Sequence, residues 1–337
     1  MTDQANRARP RWLRRLRWVG AIALAGIVLI AGVAAWGWFV QPALLVVPLR
    51  QVGYWRLGVV PRIVDVDGHR WPYLESGPVE GPAVLLLHGF GTSKDALMTM
   101  SAHLAAKGWR TLAPDLPGFG AHAFHDGEHH DQAFYARAIG RFMDAVGAPR
   151  AVVLGTSMGG ALATELALQD PSRVRALVLM APAGVRAPER NAFMADVESG
   201  ANPLDMASEA DFDRISSTVF ARPPAVPSPF RRWFVERALA VRPKTLLIVE
   251  AIKPFLMSGL DGRLGGVGVP ALVIFGSADR VTDPSMLRVF ADGIRNARTA
   301  LLPGAGHVVF SDAFREAMRE VDGFLDAVSR DGTLGPP

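Results

Sequence analysis

The chain has 337 residues, 50% of them apolar and 20% charged, with 34 glycines, 25 prolines and no cysteine. This composition excludes collagen-like, coiled-coil and disordered chains, and the missing thiols exclude disulfides, thiolate metal centres and cysteine nucleophiles. The formal net charge of +4 is local. Arg7, Arg9, Arg11, Arg14, Arg15 and Arg17 stand against Asp3 alone, and the remainder carries 30 basic and 31 acidic residues, so no nucleic-acid partner is expected.

Residues 18–40 contain no charge. As a helix they would extend about 34 Å, enough to cross a hydrocarbon core of about 30 Å. Trp12 and Trp18 flank one end, and Trp36, Trp38 and Phe39 the other, as in an interfacial aromatic belt. The preceding arginines predict that residues 1–17 are cytoplasmic and that everything after Val40 is extracytoplasmic, periplasmic in a bacterium. A cleaved signal peptide remains an alternative, with small-residue sites near Gly32-Val33-Ala34 and Val33-Ala34-Ala35, although its apolar run is normally shorter. An uncleaved single-pass anchor is the expectation. Residues 41–60 mix apolar side chains with Arg50, Tyr54, Trp55 and Arg56, and are expected to form a membrane-proximal linker.

Beyond residue 60, short β-rich runs alternate with helical ones. Strands are predicted at 62–66, 70–75, 83–88, 110–114, 151–155, 176–180, 271–275 and 299–302, the first two joined by a hairpin at Asp67-Gly68. Helices are predicted near 95–107, 131–146, 159–169, 284–296 and 312–329. Continuous apolar strands joined through helices indicate a mostly parallel eight-stranded sheet covered on both faces, an α/β fold. The alternation stops over residues 185–262, where helical pieces (190–198, 208–219, 230–240, 244–257) and the proline cluster ARPPAVPSPF replace the strands. This reads as a helical lid inserted between the sixth and seventh strands, dividing the core into 61–184 and 263–337. Its Phe212, Val219, Phe220, Trp233, Phe234, Leu239, Phe255, Leu256 and Met257 are expected to pack helices, with some roofing an apolar cleft.

Gly155-Thr156-Ser157-Met158-Gly159 fits G-x-S-x-G between the strand AVVLG and the helix ALATELALQ, the context of a nucleophile elbow. A serine hydroxyl needs a base, and His307 is the only histidine after Ser157. In the order serine–acid–histidine, the orienting acid follows the preceding strand, where Asp279 is preferred over Asp283. Asp283, before Pro284, reads more simply as a helix cap. The oxyanion of a tetrahedral intermediate is expected to find the backbone N–H groups of Met158 and Phe90. His88, beside Phe90, is expected to organise its loop rather than to catalyse.

The segments LLLHGFG, APDLPGFG, VLGTSMGG, VLMAPAGV, IFGSADRV and LLPGAGH follow one another in the order and spacing of the α/β-hydrolase superfamily, which the chain resembles over nearly all of residues 60–330. The N-terminal anchor with HGFGTSKD, GTSMGG and PAG is similar to the membrane-anchored monoacylglycerol lipase and esterase branch. That resemblance implies hydrolysis of acylglycerols or other carboxylic esters, lipid-like substrates, and neither cofactor nor metal. Members such as epoxide hydrolases carry aspartate where Ser157 stands. Hydrolysis of a carbon–carbon bond by the same triad, or ligand binding without turnover, are the alternatives. The chain departs from the family after Pro117-Gly118-Phe119-Gly120, where His122, His125, His129 and His130 accompany Asp126, Glu128 and Asp131. Without defined ligand spacing this segment is expected to be a solvated polar loop, with a divalent metal site as the competing reading. The oligomeric state is not legible.

Overall fold

Apolar side chains that recur without interruption in the predicted strands need cover on both faces, and the computed structural model supplies it. It describes residues 11–125 and 127–330; Arg7, Arg9, Asp126 and residues 331–337, on which part of the orientation and loop expectations rest, lie outside the described residues. Eight strands, β1 (Val60–Val66), β2 (His69–Ser76), β3 (Ala83–Leu87), β4 (Arg110–Pro114), β5 (Ala151–Thr156), β6 (Val174–Met180), β7 (Ala271–Gly276) and β8 (Ala297–Leu302), form one sheet in the order β1-β2-β4-β3-β5-β6-β7-β8. Each lies within two residues of its predicted bounds. β1–β2 and β2–β4 pair antiparallel and all other pairs are parallel. The β1–β2 hairpin closes at Val66 and His69 through Asp67 (φ 55°) and Gly68 (φ 82°), the two left-handed residues that a tight hairpin turn demands.

Eleven helices are found among the described residues. α1 (Arg11–Phe39) and α2 (Ala43–Leu57) precede the sheet; α3 (Met98–Ala106), α4 (Gln132–Ala145) and α5 (Met158–Gln169) connect its first six strands. α6 (Ala192–Glu198), α7 (Glu209–Val219) and α8 (Ser228–Ser258) lie between β6 and β7, and α9 (Met286–Gly293), α10 (Val309–Asp312) and α11 (Phe314–Arg330) follow β7. α4 buries Tyr135, Ala138, Ile139, Phe142 and Met143, and α11 buries Ala317, Met318, Val321, Phe324, Leu325 and Val328. Both sets repeat at the three- and four-residue spacing of one helix face. Every residue of β5 and β7 is buried, so the sheet centre is dry and fixes what is mounted on its carboxyl edge.

One element differs from expectation. Residues 230–240 and 244–257 belong to one helix that continues through Pro243 and Pro254. Each proline removes one backbone donor, yet Ile248, Ile252 and Phe255 form a buried stripe that rewards continuing the helix. Residues 43–57, to which sequence patterning assigns no secondary structure, are helical despite Pro48.

Contacts divide the chain into two units, Met1–Val52 with Val226–Phe234 and Gly53–Ala225 with Val235–Pro337. In the first, Trp18–Phe39 is apolar and long enough to span a bilayer, and Trp38 meets Phe230 edge to face with ring centres 6.0 Å apart. In the second, Tyr54 and Val59 are each 3% exposed and belong to the core, and the Tyr54 hydroxyl donates to Asp95. The second unit thus starts before residue 61, inside the last turns of α2.

Candidate active site

Ser157 stands between β5 and α5 with φ 53° and ψ −119°. A non-glycine residue in that region stores about 1–3 kcal/mol of strain and persists only where its surroundings over-determine it. Those surroundings are hydrogen bonds from Ser157 N to Met180 O (3.0 Å) and from Ala183 N to Ser157 O (3.2 Å). The flanking glycines are required by close approach: a Cβ on Gly155 would lie 2.2 Å from Gly159 O, and one on Gly159 only 2.3 Å from Leu87 O. Although it occupies the cap position of α5, Ser157 makes no side-chain cap hydrogen bond, which leaves Oγ available.

Three residues beyond β7, the Asp279 side chain is fully buried. One oxygen, Oδ1, accepts from Val281 N (2.8 Å) and Thr282 N (3.1 Å); the other, Oδ2, accepts from Thr282 Oγ1 (2.8 Å) and lies 2.9 Å from His307 Nδ1. The carboxylate thus fixes the imidazole with Nε2 available as a base. Thr282, which sequence reasoning missed, has its hydroxyl oxygen 3.1 Å from His307 Nδ1 and 3.2 Å from Ala181 O as well. Its signal was the turn Asp-Arg-Val-Thr, in which a carboxylate gathers the amides two and three residues ahead. Asp312 was missed as well: its carboxylate accepts from Gly306 N (2.9 Å) and Ala221 N (2.8 Å), bracing the His307 loop. Asp283 instead accepts from Ser285 N (2.9 Å) in the turn before α9, whose cap residue is Ser285. The structure therefore joins His307 to Asp279. Among the described residues no hydrogen bond joins Ser157 Oγ to His307, a looseness common in unliganded sites.

Phe90 and Met158 share the cleft wall with Ser157. Among the described residues neither amide donates any of the loop, turn or cap hydrogen bonds. His88 is fully buried and both its nitrogens are engaged: Leu116 N donates to Nε2 (3.0 Å), so Nδ1 carries the proton toward Gly89 O (2.9 Å). Burial holds its pKa below the ordinary histidine value, so it is a neutral loop brace. Asp115 braces the same region, accepting from Lys94 Nζ (2.6 Å), Lys94 N (2.8 Å) and Ala121 N (2.8 Å).

The cleft above Ser157 is mostly apolar. Phe193 and Met194 of α6 and Val249, Ile252, Leu256 and Met257 of α8 line it. Of the lid residues that the sequence singles out, Leu256 and Met257 are the ones in the cleft wall, and Phe255 packs in the core. The histidine-rich loop also departs from expectation. His122 and His130 are buried, because imidazoles pack as aromatic rings: His122 meets Trp71 edge-on at 4.7 Å, and His130 stacks on Phe124 at 4.8 Å. The Tyr135 hydroxyl donates to Pro117 O (3.0 Å) and so accepts from His130 Nδ1 (3.2 Å). Burial, then the neighbouring His122 and His125, lower the His130 pKa to about 4. His69 Nδ1 and His125 Nε2 lie 3.0 Å apart, yet among the described residues no three histidine or carboxylate side chains are grouped to hold a metal ion.

Residues 82–314 match the family model described as the alpha/beta hydrolase fold. The chain is 26% identical over 272 residues to lipase 3 of Moraxella sp. (strain TA144), covering 80% of this chain and 86% of the relative. It is 25% identical over 294 residues to monoacylglycerol lipase ABHD6 of Homo sapiens, covering 82% and 85%. Among solved structures, one described as a membrane phospholipase A, a bacterial virulence factor, superposes with a TM-score of 0.82 at 31% identity, over 92% of this chain and 99% of that one.

Proposed function

The chain belongs to the α/β-hydrolase fold family and is a hydrolase of lipase or esterase type, and on that premise we propose that it is a serine hydrolase cleaving carboxylic esters, lipid-like ones above all. One observation carries the proposal: a strained serine with an uncommitted hydroxyl and a buried Asp279–His307 pair are mounted on the same carboxyl edge of the sheet. The Ser157 hydroxyl attacks the ester carbonyl as its proton passes to His307 Nε2. The Phe90 and Met158 amides receive the oxyanion. His307 returns the proton to the departing alcohol, leaving an acyl group on Ser157. Water, deprotonated by His307, then releases the carboxylic acid and restores the serine. Asp279 orients the imidazole and stabilises its charged form.

The apolar cleft suits an acyl chain, and the names of the lipase relatives support the same substrate class. α1 serves as a single-pass anchor that leaves the catalytic unit outside the cytoplasm and close to lipid esters. This chemistry uses hydroxyl, imidazole and amide groups only, so dialysis against EDTA leaves kcat unchanged. The decisive test is labelling with a fluorophosphonate probe beside a panel of esters of graded chain length. Labelling of the wild type that disappears in Ser157→Ala, with turnover lost in parallel, supports the proposal. A Ser157→Ala protein that still hydrolyses esters overturns it.

A further inference from the structure

The lid side of the cleft contains one charged group with no use in the acyl transfer. Lys253, on α8, is half-buried and lines the Ser157 cleft. It also lines a second hollow of about 420 Å³, which shares Met194, Val197 and Met257 with that cleft as common walls. The other cations of the second hollow have partners: Arg190 is paired with Glu198, and Arg186 lies 3.9 Å from Asp261. Lys253 makes no hydrogen bond or ion pair among the described residues. A cation held partly out of water without a counter-charge loses solvation that an anion would restore. Asn202, in the same wall, uses its Oδ1 to accept from Leu204 N (3.2 Å), so its amide hydrogens remain available to a second polar contact.

We infer that Lys253 forms an anion-recognising subsite beside the acyl cleft, selecting esters that carry a phosphate or carboxylate group away from the scissile carbonyl. This rests on the proposed ester hydrolysis at Ser157. The ammonium receives the anionic oxygens, while Phe193, Ile252 and Leu256 hold the apolar part of the substrate. A charge-assisted contact of this kind favours the anionic ester by about tenfold to a hundredfold over a neutral one. Phosphate and carboxylate share this chemistry, and matched substrates separate them.

The test compares full-length protein in a non-ionic detergent on two substrate pairs. One pair is 1-dodecanoylglycerol and its glycerophosphoglycerol counterpart; the other is p-nitrophenyl pentanoate and p-nitrophenyl hydrogen glutarate. The readout is the ratio of kcat/KM, anionic over neutral, within each pair. Lys253→Met is expected to lower that ratio at least tenfold in one pair, which identifies the anion, while Lys253→Arg retains most of it. Lys253→Glu lowers it further, and a thermal melt confirms that each variant is folded. Ratios unchanged in both pairs, in an enzyme that turns over the neutral esters, sink the subsite and leave ester hydrolysis standing. A wild type inactive on all four esters sinks both.

Discussion

Replacing Asp279 with asparagine tests the orienting acid most sharply, because the hydrogen bonds dictate which way the new amide must face. Oδ1 accepts two backbone amides, from Val281 and Thr282, and only the asparagine oxygen can continue to do so. The NH₂ group is therefore forced into the Oδ2 position, 2.9 Å from His307 Nδ1. Facing a donor, Nδ1 becomes the unprotonated nitrogen and the proton moves to Nε2, the atom that must accept from Ser157. Loss of the working tautomer costs about 10⁴-fold in kcat, or roughly 5.4 kcal/mol of transition-state stabilisation. The fold loses much less, about 1 kcal/mol, since Thr282 can turn its hydroxyl hydrogen to Ala181 O and accept from the amide. The assay is hydrolysis of a short p-nitrophenyl ester beside a thermal melt. Asp283→Asn, which keeps an acceptor for Ser285 N, is expected to retain activity within about threefold. An Asp279→Asn enzyme with more than a tenth of wild-type kcat, or an Asp283→Asn enzyme that is the more damaged, would refute the assignment.

Thr282→Val removes one of four donors to the Asp279 carboxylate at nearly constant volume; kcat on the same ester is expected to fall by about threefold to tenfold and stability by about 1–2 kcal/mol. Full activity and an unshifted melt would show that Thr282 is idle. Gly159→Ala places a methyl group against Leu87 O and His88 O, both backbone, so soluble folded protein is expected to be lost; normal expression with a native melt contradicts the packing argument. His130 is buried neutral with a pKa of about 4 against an unfolded value near 6.5. The unfolded chain therefore binds more protons between these values, and stability falls as pH drops from about 6.5 to about 4. His88 and His122 act in the same direction, and His130→Phe is expected to flatten the decline measured by thermal melts across that range, whereas an unchanged slope counts against it. A chain starting at Gly53 keeps Tyr54 and is expected to be soluble and active on short esters, while one starting at Pro61 melts lower; equal melting points would deny Tyr54 a part in the core.

The eight strands and their helices were legible because burial on both faces of a sheet writes itself into sequence as uninterrupted apolar runs, such as AVVLGT and ALVIFG. The elbow was legible for a similar local reason: Gly155 and Gly159 are dictated by backbones that pass too close for a Cβ. Chain order paired Asp279 with His307, and in the folded chain these two side chains lie 2.9 Å apart. Other features depended on partners distant in sequence. That Asp312 would brace the His307 loop depends on Ala221, 91 residues earlier. Whether Pro243 would break α8 depended on the burial of Ile248 and Ile252, which no local pattern discloses. Polar residue types predicted a solvated loop at 122–130, but Trp71 and Phe124 offered its imidazoles aromatic faces, and only the folded chain places those rings beside them. Sequence determines what a segment demands of its surroundings; tertiary structure decides which surroundings it receives, because burial and hydrogen-bond partners are properties of the assembled chain.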